Sequence, residues 1–265
     1  MPRILPLFTK GLADSWRSTL AWALGLSAAC MLYLPLFPSI GGTQMEDMIN
    51  ALPPEMTKAL NYDQIASGPG YTQATMFGLL GFLLMSMASV GWGAAAVGGD
   101  EESGLLELTL AHSVTRVQVV LERALAILVR IALLSVLVFL LVLGLNGPSQ
   151  LGIDVGHLAG AVLLFAALAL LSGTAALCAG ALSGRKVYGI AAGAAVAVLG
   201  YVFNAVGRQS PDVEWLLNLS PYHWAYGNSP VANGADWGAA IGLYGISLAL
   251  IGLGAVALQR RDVGV

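Results

Sequence analysis

The side chains that could carry chemistry are concentrated in one stretch of an otherwise apolar chain, residues 98–123. It holds five of the 15 acidic residues: Asp100, Glu101, Glu102, Glu107 and Glu122. Adjacent carboxylates can serve acid–base catalysis, and an intramembrane protease built on a paired glutamate is one reading of positions 101 and 102. Such a site needs an arginine shortly afterwards and histidines deep in neighbouring spans. Here Ser103-Gly104-Leu105-Leu106 follows, so we do not expect a protease.

Other catalytic patterns find little support in the sequence. His112, His157 and His223 fall in three different polar links between apolar runs, a placement that argues against one shared metal site. No serine lies in a nucleophile-elbow pattern, and no glycine-rich phosphate loop ends in lysine. Cys30 and Cys178 lie inside apolar runs, which is typical of packing residues. We therefore expect this chain to catalyse no reaction, and any nucleotide chemistry to be supplied by another chain.

The composition is that of a membrane protein. The chain is 57% hydrophobic and 10% charged, with a mean hydropathy of +0.76, whereas soluble domains are about 25% charged. A helix of about 20 apolar residues crosses a bilayer, and isolated strands cannot satisfy their backbone there. The sequence predicts an all-α polytopic protein with one transmembrane domain over residues 1–265. Its six spans are expected at roughly 19–37, 73–97, 124–145, 157–182, 187–207 and 236–258.

Basic residues predict the orientation of these spans. Among the 12 lysines and arginines, only Lys58 and Arg208 fall on one side of the predicted membrane. Cytoplasmic segments are enriched in Lys and Arg, so both termini and the acidic stretch are expected in the cytoplasm. Residues 38–72 and 208–235 are then extracytoplasmic. No basic run exceeds two residues, and nothing indicates binding to nucleic acid.

Short helices are expected at the membrane surfaces, and one charge within a span. Residues 4–18 suit an interfacial helix before span 1, and residues 45–52 an amphipathic helix on the outer side. Arg130 lies about two turns into span 3. Its long stem can reach back to the inner interface, or it contacts a substrate or partner along a pathway. Glycines four residues apart, as at Gly189 and Gly193, allow helices to approach closely.

The acidic stretch itself predicts a helix, a tight corner and a second helix. Acids at positions 100–102 favour a helix N-terminus, and the leucines of GLLELTLAH form a broad apolar surface. Thr115 and Gln118 fit a capping box that begins the second helix. A leucine surface ringed by acids suits a groove on a cytoplasmic protein, because the inner leaflet is itself negatively charged. A hairpin resting on lipid headgroups is the alternative.

The run GDEESGLLELTLAHSVTRVQVVLER resembles the signature of type-2 ABC exporter permeases. In that family an acid pair, a Gly, a Leu-Glu-Leu core and a Val-Ser/Thr-Arg turn form a coupling helix between spans 2 and 3. This helix sits in a cleft of the ATP-hydrolysing subunit. The segments LSPYHWAYGNSPVANGADW, LQRRDVGV and ALPPEMTKAL are also similar to the family, so the resemblance covers most of the chain. Ser113 is a departure, since many members carry Pro there.

The resemblance implies a permease subunit of an ATP-driven exporter in the plasma (inner) membrane. It would dimerise with itself or a similar permease chain and bind two ATPase subunits, which hold ATP and Mg²⁺, so this chain needs no cofactor. The alternative is a mechanotransmission or assembly subunit that acts on an extracytoplasmic partner without moving cargo. In either case the leucines of the link would anchor the contact and its charged residues would set the register. The expected ATPase interface is Glu101, Glu102, Gly104, Leu106, Glu107, Leu108, Leu110, Thr115 and Arg116.

Overall fold

The computed structural model describes residues 5–40, 51, 65–111 and 114–262, and most of these residues are helical. Within these residues no strand forms. Six of the helices, the second, third, fifth, sixth, seventh and tenth, are long and apolar enough to cross a membrane. The predicted all-α architecture with six spans is therefore confirmed. The helices in chain order are α1 (Pro6–Asp14), α2 (Trp16–Ile40), α3 (Gly68–Glu102), α4 (Leu105–Leu110), α5 (Arg116–Asn146), α6 (Val155–Ser183), α7 (Lys186–Gly207), α8 (Pro221–Tyr226), α9 (Pro230–Asn233) and α10 (Trp237–Arg260).

The third span shows why helix ends and hydropathy edges differ. The apolar run begins near residue 124, but α5 begins at Arg116. Its start is set by Thr115, whose side-chain oxygen accepts a hydrogen bond of 3.1 Å from the backbone nitrogen of Gln118. The capping pattern therefore predicted the beginning of the helix correctly. Hydropathy marks only the part that can lie in lipid, and the helix continues beyond it.

Helix α6 forms the centre of the bundle. It packs against α3, α5, α7 and α10. Within its most apolar 18-residue segment, 94% of the residues are buried inside the protein. By contrast, only 22% of the residues in the most apolar 18-residue segment of α7 are buried. A span that is apolar all round and surrounded by other helices fills the middle of the molecule, so α6 occupies the centre of the bundle that the described residues form.

Close packing between α6 and α7 depends on glycine. A Cβ atom at Gly189 would lie 2.8 Å from the carbonyl oxygen of Ala176, and one at Gly193 would lie 2.7 Å from that of Ser172. Both carbonyls belong to α6. The predicted close approach at this glycine pair is confirmed, and it serves packing within the chain.

The segment before the last span packs onto the N-terminal end of α3. The hydroxyl of Tyr222 donates to the carbonyl of Gly78 over 2.8 Å, and the backbone nitrogen of Val231 donates to Oε1 of Gln73 over 3.2 Å. Both acceptors lie in a π-helical turn, Gln73–Leu80. The short helices α8 and α9 are therefore fixed to the bundle. The amphipathic helix expected at 45–52 lies almost wholly outside the described residues.

Candidate functional site at the link between α3 and α5

The link consists of the end of α3, the short helix α4 and the cap of α5. The backbone nitrogen of Gly104 donates to the carbonyl of Glu101 over 3.0 Å, which closes the last turn of α3. Gly104 has a φ of +72°, and this left-handed conformation is readily adopted only by glycine. It turns the chain into α4. Residues 112 and 113, the corner of the predicted signature, lie outside the described residues.

The leucines of α4 divide between two faces. Leu106 is 1% exposed and belongs to the core, and Leu110 is half-buried against it. Leu105 and Leu108 are 52% and 64% exposed. The prediction that Leu106 is displayed for a partner is therefore wrong. Residues four apart share one face of a helix, and in this six-residue helix that face rests on the ends of the spans.

The first three acids of the link are bonded to three different helices. Asp100 and Arg123 of α5 form an ion pair of 2.5 Å. Glu101 accepts two hydrogen bonds from the guanidinium of Arg261, just after α10. Oε1 of Glu102 accepts from the backbone nitrogen of Lys186 over 3.1 Å, at the start of α7. We expected Glu101 and Glu102 to pair with another chain, but here their carboxylates are engaged within this one.

Arg116 is likewise used inside the chain. Its Nη1 atom donates to the carbonyl oxygens of Leu258, Gln259 and Arg261, over 3.4, 3.3 and 2.6 Å. The last carbonyls of a helix lack partners within the helix, and a positive charge there also interacts favourably with the negative end of the helix dipole. Arg116 therefore caps α10.

The outward side of the link is an amphipathic surface. Leu105 and Leu108 are its apolar part, and the exposed acids Glu102 and Glu107 lie beside them. We call these four residues the α4 surface. Thr115 is also exposed, but its side chain caps α5. Of the nine residues predicted for the ATPase interface, four are exposed in this structure: Glu102, Glu107, Leu108 and Thr115. Leu105, which lies in the predicted leucine surface but not among those nine, is exposed as well.

Arg130 lies beside this region and holds α1. Its side chain is 7% exposed, and its Nη2 atom donates to the carbonyl of Gly11 over 3.1 Å. The guanidinium carbon is 5.3 Å from the centre of the Trp92 ring, within the range of a cation–π contact. Arg130 therefore joins α5 to α1, a contact that neither of the two alternatives drawn from the sequence described.

Glu122 is a functional candidate whose contacts sequence analysis did not identify. It is 2% exposed, and its Oε2 atom accepts from the backbone nitrogen of Phe8 over 2.8 Å. Its Oε1 atom accepts from the side chain of Gln118 over 2.6 Å. Phe8 and Glu122 are 114 residues apart, and the only available signal was a carboxylate near the beginning of a span. Glu122 and Arg130 therefore attach α1 to α5 at two points.

A groove of about 1090 Å³ separates α1 from the link. Its lining combines Leu105 and Leu108 with charged side chains from α1, α3 and α5. Among the described residues, no group of three or more His, Cys, Asp or Glu side chains could hold a metal ion. The site thus offers an exposed apolar contact surface with charges around it, backed by side chains that join helix ends.

Comparison with known proteins identifies the family of the chain. No curated protein matches the sequence. The family described as ABC-2 family transporter protein matches residues 5–263, which includes every span and the whole link. A match over nearly the entire chain identifies it as a membrane-embedded permease subunit of an ABC transporter. The chain belongs to the ABC-2 transporter family.

Proposed function

We propose that this chain is the permease subunit of an ATP-driven exporter and that the α4 surface is the place where a separate ATPase subunit binds. The observation that carries the proposal is the exposure of Leu105 and Leu108, 52% and 64%, on a helix between two spans. Full burial of a leucine is worth about 1.5–3 kcal/mol. Two leucines in a partner's groove would therefore be a strong anchor for so short a helix.

A protein groove suits this surface better than lipid does. Glu102 and Glu107 are exposed beside the leucines, and the inner leaflet carries negative charge that repels them. A partner with basic residues around an apolar cleft would accept both parts of the surface. The ATPase, in this proposal, binds ATP and Mg²⁺, while the permease supplies the contact that moves.

The positions of the basic residues support a cytoplasmic location for the link. Arg123, Lys186 and Arg261 come from three parts of the chain, yet each is bonded to an acid at positions 100–102. Basic residues at the same end of the bundle are the pattern expected of a cytoplasmic face. We therefore propose that both termini lie in the cytoplasm and that the protein resides in the plasma (inner) membrane.

Transport requires a route across the membrane, and packed side chains of α6 occupy the centre of the described bundle. Helix α6 lies at the centre of the bundle, where 94% of the residues in its most apolar 18-residue segment are buried. A pathway is therefore expected at a surface shared with a second permease chain, identical or similar. We propose a complex of two permeases and two ATPases. When the two ATPases move closer together or apart, each would carry along the α4 helix bound to it. Such transmission requires that the contact with α4 differ between the two states of the ATPase pair.

The test is purification of the tagged permease with its native ATPase after single substitutions. We expect Leu108→Asp, and more strongly the double variant Leu105→Asp/Leu108→Asp, to lose the ATPase while remaining in the membrane. Leu219→Asp is the matched control, because Leu219 is 55% exposed in the segment before the last span and should retain the ATPase. A double variant that keeps the bound ATPase and its ATP hydrolysis would contradict the proposed docking surface.

Export and mechanotransmission are separated by the reconstituted complex. An exporter should carry a cargo into sealed vesicles at a rate that depends on ATP, and its ATP hydrolysis should respond to that cargo. Hydrolysis that responds only to an extracytoplasmic protein bound at residues 208–235 would favour the alternative.

A further inference from the structure

We propose that Glu101, Arg116 and Arg261 are positioning residues that make the inner end of α10 move together with α4. The inference rests on the proposed function, since it concerns how a movement of α4 would spread. Spans α3 and α5 are joined to α4 by the chain itself. Helix α10 is more than a hundred residues away in sequence, and side chains from both ends of the link hold it.

The first attachment comes from the residue pair Glu101 and Arg261. The guanidinium of Arg261 donates to both carboxylate oxygens, with Nη1 at 2.8 Å from Oε1. Two parallel bonds fix the orientation of the pair as well as its distance. Gly184, at the end of α6, leaves space for it, because a Cβ there would lie 2.5 Å from Arg261 Nη1 and 2.6 Å from Glu101 Oε1. The pair therefore packs directly against Gly184, and a side chain at that position would displace the tips of both residues.

The second attachment comes from the other end of the link. Arg116, the first residue of α5, reaches three carbonyls at the end of α10, of which the closest, that of Arg261, is at 2.6 Å. One attachment to α10 thus precedes α4 in the chain and the other follows it. A helix held from both sides of α4 cannot keep its place when α4 shifts unless one of these contacts breaks.

A neighbouring contact extends the same arrangement to α7. Glu102 accepts from the backbone nitrogen of Lys186, one of the amides at a helix N-terminus that lack a partner within the helix. Asp100 holds Arg123 of α5 over 2.5 Å. The consecutive acids at positions 100, 101 and 102 therefore contact α5, the end of α10 and α7, respectively. The inference is strongest for α10, where two separate side chains of the link make the contact.

The experiment measures distances between spin labels in the complete permease–ATPase complex. Cysteines are introduced in pairs at three exposed positions: Ala111 beside α4, Gln259 at the inner end of α10 and Val155 at the outer start of α6. The native cysteines are buried and should label slowly. Between the nucleotide-free and the ATP–vanadate-trapped state, we expect the 111–155 and 259–155 distances to change and the 111–259 distance to stay constant.

Charge reversal separates transmission from simple stability. In Glu101→Arg the 259–155 change should shrink or vanish, and in Glu101→Arg/Arg261→Glu it should return, because the pair is restored with its signs exchanged. A purely structural role predicts loss of folded protein without this recovery of movement. Arg260→Gln is the matched control: it removes an exposed charge next to Arg261 and should leave all three distances as in the unsubstituted protein.

Each outcome decides between the two proposals. If the label at 111 moves on trapping and the label at 259 does not, α10 is not driven by the link, and this inference fails while the proposed function stands. If the label at 111 does not move or no ATPase binds, the proposed function fails and the inference with it. If Glu101→Arg does not assemble, Arg116→Gln and the unsubstituted protein supply the same comparison.

Discussion

Substitution of Glu122 should weaken the attachment of α1 to the bundle. The contacts of Glu122 give the expected increase in local opening of α1. The carboxylate accepts from Phe8 N over 2.8 Å and from the Gln118 side chain over 2.6 Å. Glu122→Ala removes a charged acceptor and leaves the amide of Phe8 unpaired. A hydrogen bond to a charged group contributes about 1.5–3 kcal/mol. Since each 1.4 kcal/mol is a factor of ten, local opening of α1 should rise by roughly ten- to hundredfold.

Hydrogen exchange measured by mass spectrometry on peptides that cover residues 5–14 is the assay. Exchange through local opening reports the free energy of that opening, so the rates in Glu122→Ala should rise by the same factor. Glu122→Gln retains an acceptor and loses only the charge at the N-terminus of α1. That change is worth about 0.3–1 kcal/mol, which corresponds to roughly a two- to fivefold rise.

The control is Glu107→Ala, which removes an exposed acid from nearby α4 and should leave exchange in residues 5–14 unchanged. The reasoning would be refuted by Glu122→Ala protein that is folded and shows the exchange of the unsubstituted protein over these residues. In that case the buried carboxylate would not be what holds α1, and the contact between Arg130 and Gly11 would have to suffice.

Three further predictions concern other parts of the molecule. Leu106→Ala should lower the free energy of unfolding by about 2–5 kcal/mol, the usual cost of truncating a buried leucine, measured by thermal unfolding in detergent. Gly93→Ala should lower the unfolding midpoint because a Cβ there would overlap the carbonyl of Gly173, whereas Gly91→Ala, with open space around it, should not. Burial, together with the nearby charge of Arg208, lowers the pKa of His223 from 6.5. Below about pH 6.5 the unfolded segment therefore takes up a proton before the folded one does. The opening of residues 211–233, measured by hydrogen exchange and corrected for the slower intrinsic exchange at lower pH, should therefore increase as the pH falls, and His223→Gln should remove that increase.

Much of the architecture was predictable because lipid imposes simple rules on sequence. Long apolar runs in a chain with few charges can only be spanning helices, and Thr115 with Gln118 marked a helix start that hydropathy placed too late. The placement of Leu106 was not predictable. Leucines occupy both faces of α4, and the choice of inward face depends on how the ends of α3, α5 and α10 meet.

The pairing of the charged residues was hidden for a related reason. Sequence shows an acid at 101 and an arginine at 261, but not that 160 residues of chain return to the same point. The same holds for Phe8 and Glu122. Local patterns such as caps act over three or four residues, whereas these contacts depend on the order in which six spans pack. Glu101 was named from the sequence as an interface residue, but its partner Arg261, and the contact between Phe8 and Glu122, came only from the three-dimensional structure.

Contacts within this chain therefore explain the positions of the acids in the link without a second protein. Every helix end leaves backbone groups without partners, and in lipid the packing of helices gains little from hydrophobic burial. Glu102 at the start of α7, Arg116 at the end of α10 and Glu122 at the start of α1 satisfy such groups and join helices at once. It follows that the acidic pair in this chain is weak evidence for docking by itself. The case for an ATPase contact rests on the outward leucines of α4, and the effect of Leu105→Asp/Leu108→Asp is the measurement that decides it.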